Sequence, residues 1–210
     1  MMATDTPMIG SKKIKKNMKK TNLRITGSSA HATEERQVDD FYATDPIAMK
    51  SLLELEVFNE RIWEPACGLG HLCDELVKNN YKVFATDIID RGYGRVFDFL
   101  KSKEKFKEFT GDIITNPPYK LAQEFIQMGL DLVPDGNKVV MFLRLQFLEG
   151  KARKKFFQEN PPKKIYVSSS RILCAKNGEF DKYDKSSVTA YAWFIWEKGY
   201  KGETTIDWFN

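Results

Sequence analysis

The stretch Arg61–Asp87, RIWEPACGLGHLCDELVKNNYKVFATD, decides the fold. Arg61 to Ala66 reads as a short strand that runs into Gly68 and Gly70. His71 to Asn80 reads as a helix, with Leu72, Leu76 and Val77 recurring on one face, and Lys82 to Asp87 reads as a second strand. The same alternation continues outward. Upstream, Asp45-Pro46 places a capping residue before a proline at the first helical position, so Ile47 to Phe58 is expected to be a helix. Downstream, strands are expected at Arg95–Phe97, Asp112–Asn116, Lys138–Leu143, Lys164–Ser169 and Val188–Trp196. A charged amphipathic stretch reaches Phe109, and a helix carries Leu121, Phe125, Met128 and Leu132 as its stripe. A basic helix covers Gly150 to Glu159, and Arg171 to Lys185 reads as a long polar loop. Strands alternating with helices imply an open, mostly parallel, doubly wound α/β sheet.

Composition narrows the classes. A chain of 210 residues, 42% hydrophobic and 13% aromatic, can bury one good core, so one domain is expected. Neither a membrane-length apolar run nor the apolar core of a secretory signal is evident, and the expectation is a cytoplasmic protein. Cys67, Cys73 and Cys174 have no CxxC spacing and only two histidines are present, so neither a disulfide framework nor a metal site is expected. Between Lys12 and Arg24 lie seven basic residues and no acidic one. Residues 1–38 are therefore expected to form a disordered basic arm, either a tether to nucleic-acid phosphates or a solubilising tail. The folded domain is expected over residues 39–210.

In a doubly wound sheet, ligands bind outside the carboxyl ends of the strands, at the switch in strand order. That rule singles out Glu64–Gly70, EPACGLG, and Asp87, a carboxylate 17 residues beyond Gly70 at the end of the next strand. A dinucleotide fingerprint would need a third glycine where Cys73 stands. Glu64 would also repel a pyrophosphate, yet it would favour a cationic or hydroxyl-bearing ligand. The stretch Ile114–Lys120, ITNPPYK, ends another strand at two prolines, which lock φ and hold Asn116 and Tyr119 in one geometry.

EPACGLG, then TDI (Thr86–Ile88), DFL (Asp98–Leu100) and NPPY (Asn116–Tyr119), resemble the ordered motifs of S-adenosylmethionine-dependent methyltransferases that modify the adenine amino group in DNA. DDFYATDP (Asp39–Pro46) is similar to the aromatic segment that precedes the cofactor loop in that family's γ order. The C-terminal YAWFIWEKGYKGE is similar to small phage- or prophage-encoded members. The resemblance implies a Rossmann-like class I methyltransferase fold of about seven strands, with S-adenosylmethionine as cofactor and DNA as partner. It implies a single methyltransferase domain with no separate large target-recognition domain.

By that resemblance, Glu64, Ala66, Gly68 and Gly70 would wall the methionine moiety while Phe41, Tyr42 and Thr44 close over it. Asp87 would accept from the ribose hydroxyls, Ile88 would pack on the cofactor adenine, Asp98 would bond its amino group and Phe99 would stack on it. Asn116 and the Pro117 carbonyl would accept the hydrogens of the target amino group, with Pro118 as a brace and Tyr119 as a platform for a flipped base. Candidate nucleic-acid contacts are Arg144 and Gln146, the basic helix with Lys151, Arg153, Lys154 and Lys155, and the loop beginning at Arg171. NPPY also accompanies methylation of protein glutamine amides and of ribosomal guanine. A non-catalytic nucleic-acid-binding subunit remains a further alternative.

Overall fold

Among the described residues, eight strands, numbered along the chain, form one sheet in the order β4-β3-β2-β5-β6-β9-β7-β10. They are β2 (Arg61–Glu64), β3 (Lys82–Asp87), β4 (Arg95–Val96), β5 (Asp112–Thr115), β6 (Lys138–Arg144), β7 (Lys164–Ser168), β9 (Tyr191–Glu197) and β10 (Thr205–Phe209). The chain winds outward from β2 in both directions, so the carboxyl ends of β2 and β5 flank the crevice where ligands enter such sheets. Within this sheet all pairings are parallel except those of β9, which runs antiparallel between β6 and β7. This is a computed structural model, and it describes residues 42–176, 178, 180 and 189–210.

Burial on both faces explains the apolar runs. Along β5 and β6, Ile113, Val139 and Met141 face one core, while Ile114, Val140 and Phe142 face the other. Helices α1 (Ile47–Leu55) and α2 (His71–Lys78) cover the second face through Met49, Leu52, Leu72 and Leu76. Helices α3 (Ala122–Leu132) and α4 (Lys151–Glu159) cover the first through Phe125, Ile126, Leu132 and Phe156. Among the described residues, no helix is long and apolar enough to cross a membrane, and no group of three or more His, Cys, Asp or Glu could hold a metal ion.

All seven expected strands form, with ends shifted by a residue or a few; Val188, the expected start of the last, lies outside the described residues. The helices differ more. The first ends at Leu55 because Glu56 turns extended and places its carboxylate 2.6 Å from Lys138 Nζ and 2.9 Å from Tyr166 Oη. The second ends before Asn80, whose φ of 67° breaks the helix, and Val77 is 55% exposed and off the buried face. The stripe of α3 is rotated to Ala122, Phe125, Ile126, Gly129 and Leu132, and Leu121 is exposed. Gly129 lets the helix approach β6, since a Cβ there would lie 2.9 Å from Val139 Cγ1.

The amphipathic stretch before Phe109 forms only a 3-10 turn at Phe99–Lys101. Its phenylalanines pack instead around Trp63, which has Phe84, Phe97, Phe99, Phe106 and Phe109 within 6.4 Å between ring centroids. Three strands were not anticipated. Besides β10, Tyr42–Thr44 (β1) pairs antiparallel with Cys174–Lys176 (β8) in a separate two-stranded sheet. Thus part of the expected loop is strand. The basic arm 1–38 lies outside the described residues.

Candidate active site

A cavity of about 270 Å³ opens at the carboxyl ends of β2, β3, β4 and β5. Glu64 and Ala66 reach it from β2, Asp87 and Ile88 from β3, Asp98 and Phe99 from the turn after β4, and Asn116 to Tyr119 from the end of β5. Tyr42 and Thr44 close it from β1. Most of the residues singled out in four separate motifs thus converge on one space. Phe41 lies outside the described residues.

The centre of this arrangement is the Asn116 amide. Its Nδ2 donates to the Tyr42 main-chain carbonyl at 3.1 Å and to Thr44 Oγ1 at 2.8 Å. A carbonyl can only accept, so the Tyr42 contact fixes which end of the amide faces β1. The opposite atom, Asn116 Oδ1, is buried without a hydrogen-bond partner. An unpaired buried acceptor costs on the order of 1–3 kcal/mol, and such atoms in native structures call for an explanation. Tyr42 and Thr44, expected to close over the methionine moiety, have the additional job of orienting Asn116.

The glycine loop differs from expectation. Gly68 and Gly70 adopt φ of 55° and 85°, but neither lines the cavity. Gly68 N–H donates to Asp87 Oδ2 at 2.9 Å, tying the loop to β3. A Cβ on Gly70 would lie 2.2 Å from the Tyr93 ring, whose hydroxyl donates to Asp74 at 2.7 Å. The loop therefore needs glycine for left-handed backbone and for Tyr93, and the cavity wall comes from Glu64, Pro65, Ala66 and Cys67.

Glu64 is 2% exposed and takes the Cys73 thiol hydrogen at 2.9 Å. Burial pushes its carboxyl up to about 8; the Cys73 hydrogen bond opposes that rise and the nearby Asp87 adds to it. At neutral pH Glu64 is largely the neutral acid. Asp87 already accepts Gly68 N–H and Ile89 N–H, one on each oxygen, so each oxygen keeps acceptor capacity for a ligand. Asp98 caps the 3-10 turn through Leu100 N–H at 3.1 Å and pairs with Lys101.

Ile88, 62% exposed, is free to pack on a ligand. Phe99 is only 2% exposed, with its ring 5.2 Å from Trp63 and 5.0 Å from Phe125, so it is a core residue that contributes an edge of wall rather than an open stacking face. Pro117 is buried and Pro118 half-buried; neither donates to the ladder, and β5 ends at Thr115.

Tyr119 is held between Tyr42 and Tyr191, with centroids 6.5 and 6.4 Å away, and its hydroxyl lies 3.8 Å from Cys174 Sγ. Arg144 does not line the cavity; its guanidinium sits 4.5 Å from the centre of the Tyr119 ring. Gln146, Lys151, Lys154, Lys155 and Arg171 are exposed and also away from the cavity. Arg153 is turned onto its own segment, bonding the Glu149 carbonyl at 2.9 Å and covering Phe147 at 4.9 Å. Lys155 faces Glu159 at 3.6 Å. Sequence reasoning missed Cys67, His71, Leu72 and Phe97 as lining residues, and no pattern in the sequence marked them for the site.

No protein-family model matches the chain, and no curated protein sequence matches it. Solved structures do. A predicted O-methyltransferase from Agrobacterium tumefaciens is 14% identical with a TM-score of 0.53, over 78% of this chain and 85% of that one. A provisionally named hemolysin from Lactococcus lactis is 14% identical with a TM-score of 0.53, over 77% and 89%. A provisionally assigned class I S-adenosylmethionine-dependent methyltransferase from Listeria monocytogenes is 16% identical with a TM-score of 0.47, and the chain spans 62% of its length. The likeness is one of fold: this chain has the Rossmann-like class I methyltransferase fold.

Proposed function

We propose that the protein is an S-adenosylmethionine-dependent methyltransferase acting on the exocyclic amino group of adenine in DNA. The observation that carries this reading is Asn116, which lines the cavity from a proline-braced turn at the end of β5 and whose Oδ1 is buried without a hydrogen-bond partner. An adenine amino group is a poor nucleophile because its lone pair is delocalised into the ring. Asn116 Oδ1 and the Pro117 carbonyl would each accept one amino hydrogen, which draws the lone pair out of the ring plane and fixes the nitrogen's direction of attack. The nitrogen, cationic once methylated, then gives its extra proton to solvent, since neither amide oxygen is basic enough to keep it. To carry the base on its π-face, Tyr119 would have to exchange the Arg144 guanidinium or a neighbouring tyrosine for it.

The residues present fit the cofactor: a neutral-to-anionic Glu64 for its amino group, Asp87 for vicinal hydroxyls, and Ile88 as an apolar lid over its base. When bound, S-adenosylmethionine supplies a methyl group already activated on a sulfonium. Positioning then accounts for most of the rate. DNA is favoured over RNA or protein by the resemblance of the aromatic segment before the cofactor loop to that of the DNA adenine class. The test is incubation with methyl-labelled cofactor and duplex DNA, RNA or protein extract, followed by nucleoside and amino-acid analysis. N6-methyladenine in DNA is the expected product; labelled guanine in RNA, labelled glutamine, or no product would overturn the assignment.

Two further outcomes follow from the cavity. Asp87→Ala should weaken cofactor binding by about 1.5–3 kcal/mol, the size of a lost hydrogen bond to a charged group. Unchanged affinity by calorimetry would remove Asp87 from the site. Glu64 should couple binding to pH. A cationic amino group beside it favours the carboxylate, so binding releases a proton and affinity should rise with pH until it levels above about 8. For folding the sign is opposite: a carboxyl raised from 4.5 to about 8 in the folded chain contributes stability at low pH that is lost as pH climbs through that interval. Titration calorimetry in buffers of different ionisation enthalpy measures the proton release directly. Glu64→Gln should abolish it, and a pH-independent wild-type affinity would contradict this account.

A further inference from the structure

A second cavity, of about 450 Å³, lies on the loop-covered face of β2, β3 and β4, away from the methionine and amino-group positions. Strand register explains its composition. Arg61 pairs with Lys82, Trp63 with Phe84, and Thr86 with Arg95, so Arg61, Lys82, Phe84 and Arg95 all point to one face. The link from β3 to β4 is short and the segment from Phe97 to Gly111 forms no α-helix, so this face is covered only by a phenylalanine-bearing loop. The result is a trough with Arg61 and Lys82 at one end and Arg95 at the other, four residue steps or about 13 Å apart along β3. Its floor is Phe84, Phe106 and Phe109.

Charge is one-sided. Lys105 joins the three other cations on the rim, against the single carboxylate of Glu108. The cations stand over the rings: Arg95 lies 5.9 Å from the Phe84 centroid and Lys105 lies 5.5 Å from that of Phe106. Lys82 is paired with Glu60 at 3.0 Å, but both side chains are about two-thirds exposed, so the pair exchanges readily for a stronger anion.

We propose that this trough binds a single-stranded nucleic-acid segment, with phosphates on the cations at its two ends and a base laid on the phenylalanine floor. Cations interleaved with aromatic faces are the sequence-tolerant means of holding a strand. An acidic peptide would satisfy the rim, yet it has no planar ring for the floor. The trough is distinct from the transfer site, and the inference stands whichever nitrogen that site methylates. Its Arg95 end is two residues from Phe97, which lines the transfer cavity, so a strand held there would lie next to the cofactor end of that cavity.

The test uses the full chain and a fluorescent oligothymidylate, followed by anisotropy over a range of salt. Lys82→Ala, Arg95→Ala and Lys105→Ala combined should weaken binding at least about tenfold and lower the slope of log affinity against log salt by about 2, at about 0.7 for each phosphate that is no longer neutralised. Phe106→Leu, which keeps apolar packing on Trp63, should weaken binding by about fivefold or more while leaving that slope unchanged. Urea midpoints for the variants identify any that are misfolded, and cross-linking of a bromodeoxyuridine strand to wild-type protein should then label Phe84 or Phe106. Wild-type affinity and slope in the folded triple variant would overturn the proposal. So would cross-links confined to residues 1–38, or equal competition by polyglutamate.

Discussion

Asn116→Ala should lower the methyl-transfer rate by about 10²- to 10³-fold, the range found when one preorganised hydrogen-bonding group is removed from a reacting centre. Cofactor affinity should change little, because Asn116 acts on the incoming amino group. The supporting geometry makes the expectation more specific. Thr44 Oγ1 and the Tyr42 carbonyl take both amide hydrogens of Asn116, which leaves Oδ1 as the end of the amide without a partner. Thr44→Val removes one of those acceptors and should reduce the rate in the same sense but less, whereas Thr44→Ser, which keeps the hydroxyl, should restore it. Single-turnover rates with saturating cofactor are the measurement. A Thr44→Val enzyme with wild-type turnover and weakened cofactor binding would return Thr44 to the methionine wall.

Trp63→Ala should destabilise the fold by about 3–5 kcal/mol, the range for deleting a large buried aromatic side chain. Trp63 is fully buried, five phenylalanine rings surround it, and its indole N–H donates to Thr86 Oγ1 at 2.9 Å. Thr86 is itself fully buried, so losing that donor leaves a hydroxyl stranded. Trp63→Phe retains most of the apolar volume and should cost about 1–3 kcal/mol through Thr86 alone. Urea unfolding reports both. A Trp63→Ala loss no larger than that of Trp63→Phe would mean that the loop phenylalanines collapse into the space, and that the cluster is not a rigid wall for the two cavities it separates.

The seven strands of the main sheet that sequence reading found are those with continuous apolar runs or a glycine turn at their end. The central ones, β5, β6 and β9, are buried on both faces and every residue of the run reports it, whereas β4, two exposed residues, was found only from the glycine turn before it. The three that were missed are short or exposed. β1 and β8 have three residues each, and most of β10 faces solvent, with Ile206 and Trp208 exposed. The site was legible for a different reason. Asn116, Asp87 and Glu64 stand at strand ends, where the doubly wound topology must bring them together. Phe99 lines the cavity but packs on Trp63, and an aromatic residue after a strand looks the same in sequence whether it stacks on a ligand or on a core ring.

Local chemistry alone determined that this chain alternates strand with helix, that its glycine turn opens a crevice, and that two prolines stiffen the turn bearing Asn116. These depend on backbone restrictions and on apolar period, which neighbours a few residues away decide. The tertiary structure decided which end of the Asn116 amide is left without a partner, because the acceptors that hold the other end lie more than seventy residues earlier in the chain. It also decided that Arg61, Lys82 and Arg95 share one face, because that follows from strand register, and register is set by pairing across the sheet.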